Sequence, residues 1–252
     1  MRVFAGPNGS GKSTVIKAVR EYKTESGKID FGFYINADEL TKELIAGTFR
    51  FSKFKVRTTF EEFCLAAKNS GLLDHDFSQS KFAASFTWKS GSISIRKTKY
   101  AERIAQILAD FLRKKLLESG EKCSFETVFS HSSKLDIMRK AKQQGYKVYL
   151  YFVATNSADI NIDRVAIRVK QGGHNVPKDK IVSRYSRSLE QLFEAAQICH
   201  QCFFFDNSGD RPLLFTYFKQ INGKKNWKKI KQKDVPDWFI RYYADKVKSA
   251  SK

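Results

Sequence analysis

The run Gly6-Pro7-Asn8-Gly9-Ser10-Gly11-Lys12-Ser13-Thr14 fits the spacing G-x-x-x-x-G-K-[ST], and that spacing has a specific chemical use. Glycines let a loop wrap so that successive backbone N–H groups point inward at an anion, with the positive end of a helix dipole behind them. A lysine at the position of Lys12 reaches the β- and γ-phosphates of a nucleoside triphosphate, and a hydroxyl at the position of Ser13 holds Mg²⁺. The flanks supply the elements this chemistry needs. Val3-Phe4-Ala5 reads as a strand entering the loop, and Val15, Ile16 and Val19 recur at helical spacing after it. Residues 6–14 are therefore expected to bind ATP or GTP with Mg²⁺.

Further groups capable of chemistry follow at the ends of later elements. Ile29 to Ile35 reads as a second strand, with Asn36-Ala37-Asp38-Glu39-Leu40 at its carboxyl end, the edge of a parallel sheet where ligands sit. Two readings of Asp38 stay open on position alone. As an N-cap it accepts a hydrogen bond from a backbone N–H near Thr41, worth roughly 1 kcal/mol. As a base it takes a proton from the hydroxyl that attacks the γ-phosphate. Cys123 to Phe129 reads as a strand carrying Glu126 and Thr127 toward its end, where a carboxylate assists Mg²⁺, binds a substrate hydroxyl or merely caps an edge. Ser157 to Gln171 reads as a helix with the apolar stripe Ile162, Val165, Ala166 and Val169. Arg164 and Arg168, four apart, leave the same side of it, either as a clamp on a transferring phosphoryl group or as solvated charge. Gly172-Gly173-His174-Asn175-Val176-Pro177 suits a hinge, and His174 alone says little about acid–base work. Ile181 to Gln197 reads as a helix carrying Arg184 and Arg187, and Cys202 to Phe205 as a strand ending at Asp206-Asn207-Ser208.

The elements needed to position these groups alternate as strand and helix. They imply an α/β P-loop NTPase fold, a mainly parallel sheet flanked by helices on both faces, with its core in residues 1–47 and 99–210. Within that core Ile104, Ile107, Leu108, Phe111, Leu112 and Leu116 predict a long amphipathic helix ending at Gly120. Ser132 or Ser133 is expected to cap a helix that Gly145 ends, and Tyr146 to Val153 reads as a buried strand.

Residues 48–98 break the rhythm and read as an α+β insertion, a substrate or cap region. Thr59 and Glu62 make a capping box ahead of Phe60, Phe63, Cys64 and Ala67. Phe82, Ala84, Phe86 and Trp88 then alternate at period two, Lys89-Ser90-Gly91 turns, and Ile93 and Ile95 continue, which predicts a hairpin. Its aromatics, interleaved with lysines and arginines, either stack bases or form a private core. Residues 211–252 form a basic C-terminal extension: an edge strand over Leu213 to Phe218, an Asn222-Gly223 turn, lysines around Trp227, and a terminal helix from Pro236 with Trp238, Phe239 and Tyr242 on one side.

Composition narrows the function classes. The chain has 252 residues, four cysteines and a net charge of +20, so its partners are expected among anions: a small anionic substrate such as a nucleotide sugar, an acidic inhibitor protein or nucleic acid. Cys199-His200-Gln201-Cys202 lacks the second pair of a zinc site and reads as two buried thiols. No apolar run approaches the ~18 residues needed to span a bilayer, and no charged-then-apolar leader opens the sequence, so a cytoplasmic protein without membrane insertion is expected.

The ordered set Gly6 to Thr14, Asn36-Ala37-Asp38, Phe125-Glu126-Thr127, Arg164-Val165-x-x-Arg168-Val169, Gly172-Gly173-His174-x-Val176-Pro177, Arg184-Tyr185 and Asp206-Asn207-Ser208 resembles the zeta toxin family of P-loop kinases, in its short bacterial branch. The resemblance covers approximately residues 1–46 and 101–208; the 48–98 segment and the basic extension stand outside it. It implies a kinase that uses a nucleoside triphosphate and Mg²⁺ to phosphorylate the 3′-hydroxyl of UDP-N-acetylglucosamine, and a small antitoxin that blocks the nucleotide site. By the same resemblance Asp38 matches the catalytic base and Glu126 with Thr127 the substrate-contacting segment. Arg164 and Arg168 match the basic helix, and Arg184 is a second phosphate contact. Two other readings remain beside it: a polynucleotide or nucleoside kinase, and a nucleotide-gated module that binds nucleic acid or protein.

Overall fold

Short runs of β-branched and aromatic residues, each closed by a glycine or polar turn, set the strands of this chain, and stripes at helical spacing set the helices between them. The computed structural model describes all residues except Ser26, His174, Ser251 and Lys252. It divides into two compact units, Met1–Asp30 with Glu126–Lys252, and Phe31–Phe125.

In chain order the first unit opens with β1 (Arg2–Ala5), α1 (Lys12–Glu21) and a small hairpin of β2 (Lys23–Thr24) and β3 (Gly27–Lys28). The second unit holds β4 (Phe33–Ile35), α2 (Ala37–Ala46), β5 (Thr48–Arg50), α3 (Phe60–Lys68), α4 (Gln79–Ala83), β6 (Phe86–Trp88), β7 (Ser92–Ile95) and α5 (Ala101–Glu118). Strand β8 (Cys123–Thr127) leaves the second unit at Phe125, and its last two residues belong to the first. The first unit then continues with α6 (Ser133–Gln143), β9 (Tyr149–Ala154), α7 (Ala158–Lys170), α8 (Lys178–Glu190), α9 (Leu192–Ile198), β10 (Gln201–Asp206), β11 (Leu213–Ile221), β12 (Lys224–Trp227), α10 (Asp237–Phe239) and α11 (Asp245–Ala250).

In the first unit the strand order is β12-β11-β10-β9-β1. The β1–β9 and β9–β10 pairs are parallel, and β11 and β12 add on antiparallel. Register places Phe4 beside Tyr151, Tyr151 beside Phe203 and Phe203 beside Tyr217. Their rings form a ladder with centroids 4.6, 4.7 and 5.9 Å apart, a cross-strand device that pins the register. Val3, Leu150, Phe152, Cys202 and Phe204 are fully enclosed on alternate positions. This register has a consequence for chemistry. Gly6, Thr155 and Asn207 emerge together at the carboxyl ends of three parallel strands, the edge where α/β sheets bind ligands.

In the second unit β4 pairs in parallel with β8, and β5-β7-β6 form a separate antiparallel sheet. The 48–98 segment thus lies in one unit with α2 and α5. Its aromatics are core: Phe63 is fully buried, with Phe51, Phe82, Phe86 and Phe111 rings centred 5.6, 5.3, 5.9 and 5.3 Å away. Base stacking needs open ring faces, and the Phe51, Phe63, Phe82 and Phe86 rings are enclosed, while Phe60 and Trp88 are half-buried. Phe63→Ala is expected to destabilise the protein by about 3–5 kcal/mol, because the cavity it leaves is walled by rigid rings; chemical denaturation followed by tryptophan fluorescence measures this.

Several boundaries differ from the sequence expectations. The strand expected over Ile29–Ile35 starts only at Phe33, since Gly32 (φ +57°) is turned tightly against the Lys122 carbonyl. Phe82 lies in α4, capped by Ser78, so the hairpin begins at Phe86. The capping box at α3 is half formed: Thr59 accepts from the Glu62 N–H, whereas the Glu62 carboxylate takes Thr58 and Lys115 as partners. Ala166 is exposed rather than part of the α7 stripe, and the helix expected over 181–197 is broken at Gln191 into α8 and α9. At the C-terminus β11 is an inner strand and β12 the outer one, and Tyr243, not Tyr242, joins Trp238 and Phe239 in the core. Cys199 and Cys202 are buried free thiols, and burial pushes the Cys202 thiol well up. Among the described residues no helix is long and apolar enough to cross a membrane.

Candidate active site

The phosphate loop is shaped by what presses on it. A side chain on Gly6 would meet the Val153 carbonyl of β9 at 2.0 Å, so only glycine lets the chain leave β1 at this point. Gly11 (φ +91°) caps α1 in the left-handed region, and a Cβ there would stand 2.1 Å from Asn207 Nδ2. The loop therefore fits only a sequence that is glycine at these places.

Lys12 is the first residue of α1, and its side chain is only 7% exposed. Its ammonium donates to the carbonyls of Gly6 and Pro7, both at 2.9 Å, and stands 3.8 Å from Glu126 Oε1. A buried cation is tolerated only where such acceptors meet it, and here they hold the charge at the mouth of the loop. Ser13 and Thr14 follow, exposed, in the first helical turn. Glu126, half-buried, and Thr127 close β8, and the Thr127 hydroxyl accepts from the Phe129 N–H at 3.1 Å.

Three arginines approach from α7 and α8, each with different work. Arg164 donates to the Asn207 and Gly209 carbonyls at 2.6 and 2.7 Å, tying α7 to the loop after β10. Arg168, one turn on, is half-buried beside the Gly173 turn: the Gly173 N–H donates to the Arg168 carbonyl, and a Cβ at Gly173 would meet Arg168 Cγ at 2.5 Å. Arg184 reaches the tip of the phosphate loop, its Nη1 lying 3.4 Å from Asn8 Oδ1. So Lys12, Glu126, Arg164 and Arg184 converge around the loop and its neighbours, whereas Arg164 and Arg168, though on one helix side, hold different segments. His174 lies outside the described residues.

In the second unit Asp38 sits exposed in the first turn of α2. Of the two readings of Asp38, the N-cap is taken by Asn36, whose Oδ1 accepts from the Asp38 and Glu39 N–H groups at 2.8 and 3.3 Å. That carboxylate is thus not the cap, and it sits in the first turn, where the helix dipole favours a negative charge.

Other polar groups stand around the site without an assigned role in the chemistry. Asn207, 5% exposed, bonds through its amide Nδ2 to the Ser10 carbonyl at 2.8 Å. Thr155 Oγ1 donates to the buried Asn161 Oδ1 at 2.7 Å, and the Tyr185 hydroxyl donates to the Thr155 carbonyl at 2.6 Å. Burial pushes the Tyr185 phenol up to about 12, which keeps it a donor at neutral pH. The C-terminal extension contributes too: Trp238 Nε1 donates to Asp206 Oδ1 at 2.9 Å, and Ser208 Oγ donates to the same oxygen at 2.8 Å. Tyr185, Asp206, Asn207 and Ser208 stand in the quoted motifs Arg184-Tyr185 and Asp206-Asn207-Ser208, with no role assigned to them from sequence, and Thr155 and Asn161 stand in none. Among the described residues no cluster of three His, Cys, Asp or Glu forms a metal cage.

Comparison with known proteins agrees with this architecture. Residues 90–211 match the family model described as Zeta toxin. An uncharacterized protein of Haemophilus influenzae is 37% identical over 60 residues, a match covering 24% of this chain and 43% of that protein. The crystal structure of AvrRxo1-ORF1:-ORF2 with ATP superposes at TM-score 0.50 with 14% identity, over 89% of this chain and 59% of that one. A structure of the PezAT chromosomal toxin-antitoxin system of Streptococcus pneumoniae gives TM-score 0.47 and 16% identity over 82% of this chain and 66% of that one. The chain thus spans less than two thirds of the length of the first two of these proteins. Residues 90–211, just under half of the chain, thus resemble the zeta toxin family, and the chain shares the α/β fold of the AvrRxo1-ORF1 structure, with a phosphate-type loop at its first strand.

Proposed function

We propose that this protein is a zeta-toxin-like phosphotransferase that moves the γ-phosphate of ATP or GTP to a hydroxyl of a small substrate, a UDP-activated amino sugar such as UDP-N-acetylglucosamine. The observation that carries the reading is Lys12. Its ammonium is sequestered inside a glycine loop at the head of a helix and faced by a carboxylate 3.8 Å away, an arrangement suited to meeting phosphate charge.

Each remaining group takes a role its surroundings support. The loop amides hold the phosphates and Lys12 neutralises charge between β and γ. Mg²⁺ at such a loop is carried largely by the nucleotide's own oxygens and by waters, and the exposed Ser13 hydroxyl fits as the chain's ligand to it. When bound, the ion neutralises charge developing on the phosphates. Asp38 matches the family's base, and an exposed carboxylate with no capping duty is free to take the acceptor hydroxyl's proton. Glu126 and Thr127 bind the acceptor. Arg184 meets phosphate from the tip of the loop, and Arg168 meets the transferring group.

Arg168→Ala is expected to slow transfer by roughly ten- to a thousandfold while changing ATP affinity little, since a guanidinium aimed at the transferring group acts chiefly as charge redistributes. Steady-state kinetics with nucleotide titration separates the two effects. A small acidic antitoxin is the partner the family resemblance implies, and the net charge of +20 suits it. The buried free thiols suit a reducing cytoplasm.

The experiment is mass analysis of UDP-sugars and of oligonucleotides with free 5′-hydroxyls after incubation with ATP, Mg²⁺ and the protein. Phosphorylation of the UDP-sugar supports the reading. Phosphorylation of the oligonucleotide alone replaces it with a polynucleotide kinase, and salt-sensitive binding without transfer makes the protein a nucleotide-gated binding module.

A further inference from the structure

We infer that Asn207 is a positioning residue that sets the direction of a phosphate-binding amide in the loop, and that Arg164 acts on the loop through it. The inference rests on the phosphate-loop reading above and adds to it a strut from the end of β10, two strands away from β1.

Asn207 is anchored three ways. Its main-chain N–H donates to the Ala154 carbonyl at 2.8 Å, which extends the β9–β10 ladder by one step beyond the Asp206–Ala154 pair. Its carbonyl accepts from Arg164 Nη1 at 2.6 Å, with Arg164 Nη2 on the Gly209 carbonyl two residues on. Its side chain, nearly closed off from solvent, donates through Nδ2 to the Ser10 carbonyl at 2.8 Å. The fit against Gly11 is tight, because a Cβ on that residue would fall 2.1 Å from the same Nδ2.

The consequence follows from peptide geometry. The Ser10 carbonyl and the Gly11 N–H belong to one planar trans peptide and point in opposite directions. Holding the carbonyl on Asn207 fixes the Gly11 N–H on the side away from Asn207. A loop amide free to flip would spend part of its time presenting a carbonyl oxygen to an anion. The Asn207 amide removes that alternative, and the two Arg164 bonds keep the 207–209 turn from withdrawing it. Arg164 thereby serves α7 as a brace rather than as a group touching phosphate.

The test compares Asn207→Ala and Asn207→Leu, the second close to asparagine in size but without a donor, with Arg164→Ala and the Arg164→Ala/Asn207→Ala double variant. Displacement of a fluorescent ADP analogue by ATP, ADP and adenosine gives affinities, and thermal melting reports folding. The expected result is a loss of about tenfold in ATP and ADP affinity for whichever Asn207 variant folds, from one misdirected bond to a charged group, with adenosine affinity unchanged. Arg164→Ala is expected to share that loss and to add nothing in the Asn207→Ala background. A parallel loss for all three ligands would mean a general structural role and overturns the inference. So does wild-type affinity for ATP and ADP in a folded Asn207 variant, and an additive double variant overturns the part assigned to Arg164. Failure of the wild-type protein itself to bind ATP or ADP would bring down the phosphate-loop reading and the inference together.

Discussion

Lys12→Ala is expected to abolish nucleotide-dependent transfer while the fold survives. The side chain is the buried cation of the loop, and without it charge between the β- and γ-phosphates goes unneutralised as the bond to the leaving oxygen breaks. The stability change is expected to be small. The substitution removes the ammonium from two carbonyls and a carboxylate, but it also removes the cost of keeping that ammonium out of water. Alanine also suits a first helical turn. Transfer assays alongside a melting curve check both halves. A folded Lys12→Ala variant with wild-type transfer would show that this loop is not the reacting centre.

Asp38→Asn is expected to lower transfer by about two orders of magnitude or more, because an amide cannot accept the acceptor hydroxyl's proton as a carboxylate does. Stability should barely move. Asn36 makes the capping bonds of α2, so the loss at Asp38 is confined to a dipole interaction of roughly 0.5 kcal/mol. Asn36→Ala, by contrast, should cost about 1 kcal/mol. ATP affinity is expected to stay close to wild type or rise slightly, since a negative charge is removed from the reaction's surroundings. Equilibrium unfolding and single-turnover transfer on the two variants separate base from cap: normal transfer by folded Asp38→Asn would remove Asp38 from the chemistry.

What the sequence made legible was local. The phosphate loop spans nine consecutive residues, and the stripe of α5 repeats over four turns, so each carries its own pattern. The Asn222-Gly223 turn was readable for the same reason, and both residues take the positive φ values, 50° and 76°, that a tight hairpin needs. The misread boundaries depend on partners distant in sequence. The break at Gln191 comes with a bond from its side chain to the Phe129 carbonyl, 62 residues away, at 2.7 Å. Tyr243 replaces Tyr242 in the core because Ile240–Ala244 is a π-helical turn, whose extra residue shifts a 3.6-residue stripe by one. Phe82 is the buried residue of a five-residue helix, too short for its apolar spacing to be told from a strand's.

The candidate site divides in the same way. Lys12, Glu126, Arg164 and Arg184 were singled out by motif and resemblance, and the structure brings them around the loop and its neighbours. Asn207, Thr155 and Asn161 act through bonds to main chain or to one another that no spacing rule encodes. Of the two readings of Asp38, the cap falls to Asn36, which leaves the base as the reading to test.

The most direct test of the central claim is transfer of a radiolabelled terminal phosphate from ATP to UDP-N-acetylglucosamine by the purified protein with Mg²⁺, run beside Lys12→Ala. The account predicts that the label appears on the UDP-sugar with the wild-type protein and stays in ATP with the variant. Label that remains in ATP with both proteins, or that moves equally with both, would contradict it.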